Sequence, residues 1–129
     1  MSEVSVLIIE DNVQNMYLER YLVEHSGYKV IEARDGFDGI KKATKFLPDL
    51  ILLDIQLPLM DGYEVARQLK ENENTCNIPI VVVTSYAMPI DKKKVFSLGC
   101  NGYIEKPIDP KLFISQIQQF ILKNNQDHD

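Results

Sequence analysis

Five short apolar runs alternate with helical stretches along this chain, and that alternation limits the possible folds more than any other feature. The runs are Val4–Ile9, Lys29–Ala33, Asp49–Leu53, Ile80–Val83 and Gly102–Ile104. Helical stretches begin near Val13, Phe37, Tyr63, Asp91 and Pro110. Strands that alternate with helices form a parallel sheet with helices on both faces. The expected fold class is therefore α/β: a three-layer, doubly wound, five-stranded parallel sheet with five helices. At 129 residues the chain is one domain, large enough for a real core. We place that domain at residues 1–123 and read 124–129 as a polar C-terminal tail. Asp109 is the expected N-cap of the last helix, with Pro110 in its first turn. Phe113, Ile117, Phe120 and Ile121 then share one face at helical spacing and are expected in the core. Gly27, Gly36 and Gly99 fall where elements end and the chain must reverse.

Chemistry in such sheets collects at the carboxyl ends of the strands. The third run ends in Asp54, followed by the long turn Ile55-Gln56-Leu57-Pro58-Leu59-Met60-Asp61-Gly62. A carboxylate with an ordinary pKa near ~4 is an ionised nucleophile at neutral pH and needs no general base. The first run ends in Glu10 and Asp11. If these two strands are neighbours, three carboxylates converge. Two unit charges ~4 Å apart repel by roughly 4 kcal/mol at an effective dielectric of ~20. Such a cluster takes up a proton or binds a cation, and hard oxygen ligands suit Mg²⁺. The fourth run ends in Thr84 and Ser85, which brings a hydroxyl donor. The fifth ends in Lys106-Pro107, which brings a compact positive charge suited to a phosphoryl oxygen. Each residue alone has an ordinary structural explanation; the combination on successive alternating units is specific.

These residues resemble the response-regulator receiver family over nearly the whole chain. The resemblance rests on Glu10-Asp11, Asp54 with Leu57-Pro58 and Met60-Asp61-Gly62, Thr84-Ser85, and Tyr103 with Lys106-Pro107. It implies a flavodoxin-like sheet of order 2-1-3-4-5, an order taken from the family and not read from spacing. It also implies that Asp54 takes a phosphoryl group from a histidine kinase or histidine phosphotransfer protein. Glu10, Asp11, Asp54 and the Gln56 carbonyl then correspond to the Mg²⁺ ligands. Thr84 and Lys106 correspond to the phosphoryl contacts, and Tyr103 to the switch aromatic that follows Thr84. A cis Lys106–Pro107 bond is implied as well. Glu10-Asp11-Asn12 with Asn15 further resembles stand-alone relay regulators and the receivers of hybrid kinases.

Rival enzyme readings fail at particular positions. A P-loop NTPase needs a glycine-rich loop ending in Gly-Lys-Ser/Thr, and the sequence has none. A flavin mononucleotide site wants hydroxyl and glycine donors after the first strand, where Glu10 and Asp11 instead repel phosphate unless a metal intervenes. A phosphatase with an aspartyl nucleophile commonly carries a general acid two positions on; here that residue is Gln56, which does no acid–base work. The chain is expected to be a phosphoryl acceptor and not an enzyme in its own right, losing the group comparatively slowly. Ile55, Gln56 and Tyr86 flank the site and are candidates for setting that lifetime.

A net charge of −5 argues against nucleic-acid binding by this domain. The basic run Lys92-Lys93-Lys94 reads as a solvated helix face. Cys76 and Cys100 lack metal-site spacing and read as reduced thiols, which suits a cytoplasmic protein. His25 and His128 are too few and too scattered for a catalytic or zinc site; His25 is expected at the end of the first helix. No apolar segment approaches the ~20 residues of a membrane span, and Met1-Ser2-Glu3 lacks the basic start of a signal peptide. Little chain follows the last helix, so either output is expected through a downstream protein docking on the fourth helix, fifth strand and fifth helix, or the chain is an intermediate carrier in a phosphorelay. The alternatives are a receiver segment of a larger hybrid kinase or regulator, and a phosphorylation-independent adaptor. The intact acid, threonine and lysine set argues against the adaptor.

Overall fold

Apolar side chains two residues apart along each strand point to the same sheet face, and both faces here are covered. The computed structural model describes residues 3–85 and 89–127. Its elements run β1 (Ser5–Ile9), α1 (Val13–His25), β2 (Lys29–Ala33), α2 (Gly36–Phe46), β3 (Leu50–Leu53), α3 (Gly62–Glu71), β4 (Ile80–Thr84), α4 (Pro89–Ser97), β5 (Gly102–Glu105) and α5 (Pro110–Asp127). All pairings are parallel, in the order β2-β1-β3-β4-β5. The fold is the expected doubly wound sheet.

Alternation divides the core in two. Leu7, Ile9, Ile51, Leu53, Ile80 and Val82 face one way, against Ala43 of α2, Val65 and Leu69 of α3 and Val95 of α4. Val6, Ile8, Leu50, Leu52, Val81 and Val83 face the other, against Met16 and Val23 of α1 and Phe113, Ile117 and Ile121 of α5. The expected α5 stripe is thus core, with Phe120 half-buried at its margin.

Caps set the helix starts. Asn12 accepts from the Asn15 N–H at 2.9 Å, Asp35 from Asp38 at 2.8 Å and Asp61 from Glu64 at 3.0 Å. Asp109 caps α5 as expected, accepting from the Lys111 and Leu112 N–H groups at 3.1 and 3.4 Å. Gly27 and Gly99 take φ near +93°, the left-handed reversal that glycine permits. Gly36 differs: it opens α2, and a Cβ there would lie 2.6 Å from Val65 Cγ2, so close packing is what requires glycine.

Boundaries moved slightly. β3 starts at Leu50, and the Asp49 carboxylate before it turns back to accept the Ser5 N–H at 2.8 Å. α4 starts at Pro89, two residues before the expected Asp91. The backbone of the polar stretch 124–127 continues α5, which ends at Asp127; His128 and Asp129 lie outside the described residues. Neither cysteine is in a disulfide. Lys92, Lys93 and Lys94 are exposed on α4, as a solvated face requires. No helix among the described residues is long and apolar enough to cross a membrane.

Candidate functional site

The β1–β3 pairing converges the acids. Asp54 donates its backbone N–H to the Ile9 carbonyl at 3.0 Å, so the ladder between the two strands ends where their carboxylates begin. One oxygen from each of Glu10, Asp11 and Asp54 lies within 4.8 Å of the others. Glu10 and Asp54 are buried and Asp11 is exposed, which leaves the cluster open on one side.

The turn after Asp54 is folded back on it. Gly62 donates to the Ile55 carbonyl at 2.8 Å, and a Cβ at Gly62 would stand 2.5 Å from the Asp54 carbonyl oxygen. Between them Leu59 is exposed at φ +71°, an uncommon conformation for a branched residue. Gln56 donates its N–H to Asp54 Oδ1 at 3.1 Å, fixing the carboxylate's orientation. Its side chain is exposed, whereas Ile55 is buried in the core. Tyr86 lies outside the described residues.

Lys106 arrives from β5. Its backbone N–H is held by the Thr84 carbonyl at 2.9 Å, and the Lys106–Pro107 bond is cis. Its ammonium reaches Glu10 Oε1 at 2.5 Å and Asp54 Oδ2 at 3.3 Å. Burial opposes the lysine's charge, but Glu10, Asp54 and Glu19 around it outweigh that, and its pKa is raised. Thr84 is buried at the end of β4, opposite Glu105 in register. Tyr103, two residues back on β5, is half-buried, with Lys92 Nζ 5.5 Å from its ring centroid. The structure therefore brings Glu10, Asp11, Asp54 and Lys106 to one point, with Thr84 beside Lys106 in the adjoining strand end.

Burial pushes Asp54 up to about 6, with Glu10 adding to the shift and Lys106 and the Gln56 N–H opposing it. Asp54 is still mostly ionised at neutral pH. The donor set fits a hard divalent cation: three convergent carboxylate oxygens, from buried Glu10 and Asp54 and exposed Asp11.

Residues 6–118 match the response regulator receiver domain. The chain belongs to the response-regulator receiver family. It is 44% identical over 117 residues to the polar-differentiation response regulator DivK of Brucella ovis, spanning 91% of this chain and 95% of that protein. Among solved structures it resembles a CheY-like response regulator receiver domain protein from Methanospirillum hungatei JF-1 (TM-score 0.91, 25% identity, 98% of this chain and 99% of that one). It also resembles the receiver domain of the sensor histidine kinase PA1611 from Pseudomonas aeruginosa PAO1, whose structure has a magnesium ion coordinated in the active-site cleft. That match has a TM-score of 0.85 and 29% identity, over 93% of this chain and 98% of that one. These relatives include a response regulator and the receiver domain of a sensor histidine kinase.

One residue of this receiver's site was not legible from motifs. Glu19 of α1 is buried behind Glu10, and its Oε2 has no hydrogen-bond partner among the described residues. Burial first, and then Glu10, push its pKa up to about 9. The available signal was periodicity: Met16, Glu19 and Val23 share the buried helix face, so Glu19 sits where an apolar residue is expected.

Proposed function

We propose that this receiver accepts a phosphoryl group on Asp54 from the phosphohistidine of a histidine kinase or histidine phosphotransfer protein, with Mg²⁺, and signals by docking another protein. The observation that carries the proposal is the placement of the Lys106 ammonium 3.3 Å from Asp54 Oδ2, beside the Glu10–Asp11–Asp54 cluster. An Asp54 carboxylate oxygen attacks phosphorus in line with the P–N bond. As that bond breaks, its electron pair returns to the imidazole nitrogen of the donor. The Gln56 N–H holds one Asp54 oxygen in place, and Lys106 offers charge to the incoming phosphoryl oxygens. Glu10, Asp11, Asp54 and the Gln56 carbonyl would hold Mg²⁺, which when bound supplies positive charge to the phosphoryl oxygens. With Gln56 in place of a general acid, hydrolysis of the acyl phosphate is slow, and the protein acts as a signalling module with self-phosphorylation and slow self-dephosphorylation alone.

Phosphorylation adds about −1.5 to −2 charges at the crevice. Thr84 and Lys106 draw toward that charge, and Tyr103 reads the change on the surface of α4, β5 and α5. That surface carries exposed Phe96 and Leu112, and a cavity of about 270 Å³ between β5 and α5 lined by Tyr103, Pro107, Leu112 and Gln116 among others. We place this exchange between proteins in the cytoplasm, without direct contact to nucleic acid or membrane. The likeness to the PA1611 receiver favours a second reading, in which the chain is the receiver segment of a larger kinase or regulator. The test is incubation with acetyl phosphate and Mg²⁺ followed by mass mapping of the acid-labile adduct. Labelling at Asp54 that vanishes with a chelator is expected; full labelling of Asp54→Ala overturns the reading.

A further inference from the structure

Several described side chains of helix α4 make polar contacts with the rest of the receiver. Among its residues with described side chains, Val95 alone is buried; Lys92, Lys93, Lys94, Phe96 and Ser97 are exposed. Beside Val95, the polar contacts of these side chains take part in fixing the helix. Two of them converge on one residue of α3. The Tyr63 hydroxyl donates to Asp91 Oδ1 at 3.0 Å, and Lys94 Nζ, one turn further on, stands 4.0 Å from the Tyr63 ring centroid. Tyr63 directly follows Gly62, whose N–H closes the turn that packs against Asp54. The same side chain thus touches α4 and borders the turn that follows Asp54.

Tyr103 adjoins this pair. Its hydroxyl is buried and has no hydrogen-bond partner among the described residues, although its ring packs on the same core cluster as Tyr63. The Asp91 carboxylate and the Tyr63 hydroxyl both lie within electrostatic reach of it. A carboxylate accepts at both oxygens, and Tyr63 occupies Oδ1. Asp91 is therefore bonded to one tyrosine, beside the turn that follows Asp54, and acts through its charge on a second, on β5.

We propose that the Tyr63–Asp91 hydrogen bond, backed by Lys94 on the Tyr63 ring, is a latch that holds α4 in the unphosphorylated arrangement. The latch sets how much phosphorylation must contribute before the α4–β5–α5 surface changes. This rests on the switch reading above, in which Tyr103 reports phosphorylation of Asp54. Losing the hydroxyl while keeping the ring removes the hydrogen bond and leaves the lysine contact. Tyr63→Phe should then favour the switched form about fivefold, the ratio that roughly 1 kcal/mol gives.

Two measurements on the full chain test the latch. The first is amide hydrogen exchange in the unphosphorylated protein. Tyr63→Phe and Asp91→Ala should each speed exchange in α4 about fivefold, with no further gain in the double variant and no change in β1 or β3. The second is titration with beryllofluoride and Mg²⁺, followed through the Tyr103 chemical shift. Both variants should reach half-change at a lower beryllofluoride concentration than the wild type. A wild type that switches, with variants that match it in α4 exchange and in midpoint, overturns the latch and leaves the switch reading intact. A wild type whose Tyr103 does not respond overturns both.

Discussion

The Lys106 ammonium stands 3.3 Å from Asp54 Oδ2, although the two residues are 52 positions apart in the chain. It is closer still to Glu10, at 2.5 Å, so one cation is shared between an acceptor and a neighbouring acid. Phosphorylation of Asp54, as proposed above, should change the terms of that sharing.

Lys106→Ala should separate labelling from switching. The variant should still label on Asp54 with acetyl phosphate, more slowly, because Asp54, Glu10, Asp11 and the Gln56 N–H remain in place. It should fail to convert the label into the shift at Tyr103 that beryllofluoride is expected to cause in the wild type. A wild-type shift pattern in the fully occupied variant would leave the coupling to Thr84 alone.

Asp11→Asn should weaken Mg²⁺ binding, since it removes a formal charge from the open side of the cluster. The apoprotein should gain little stability, about 0–1 kcal/mol, because Asp11 is exposed and its repulsion is screened. Thermal melts with and without Mg²⁺ read both effects. An undiminished Mg²⁺-induced shift in the variant would contradict the assignment.

The metal-free protein should lose stability as pH rises above the ordinary carboxylate range. Glu19 holds its proton to about 9 when folded, from an ordinary value of 4.5, and Asp54 to about 6 from 3.8. Between those limits the native state binds more protons than the unfolded one, so unfolding free energy falls with pH. The Asp54 contribution is spent by about pH 6, and that of Glu19 continues toward 9. Glu19→Gln removes the second contribution and should be more stable than the wild type at pH 8 by about 1–3 kcal/mol, with a smaller gain at pH 5. Urea melts across pH 5–9 check the sign; a gain independent of pH would refute it.

Gly62→Ala should damage the acceptor turn more than an exposed helix substitution normally does. The added Cβ would meet the Asp54 carbonyl at 2.5 Å and the Ile55 Cα at 2.6 Å, both backbone atoms that have little room to yield. The expected cost is about 1–3 kcal/mol, accompanied by slower labelling of Asp54. Unchanged labelling and an unchanged melt would show that the turn relaxes freely.

The strand ends were legible in the sequence because alternation and chain direction place them without any knowledge of packing. Short apolar runs between helical stretches require a parallel sheet, and its strands deliver Glu10, Asp54, Thr84 and Lys106 to one edge. The cap at Asp109 is likewise local, a side chain reaching a backbone N–H two or three residues on. Pairwise relations between distant elements were decided by tertiary structure. Nothing in the spacing of Glu19 brings it behind Glu10, since that needs the packing of α1 on β1. The Tyr63–Asp91 contact likewise needs α3 and α4 side by side on one face of the sheet. Gly36 looked like a chain reversal until Val65 of another helix was seen to leave no space for a Cβ. Sequence order specifies which groups reach the edge because strand polarity is a property of the backbone. Which of them share a proton, a cation or a hydrogen bond depends on a few ångströms of packing between segments far apart in the chain.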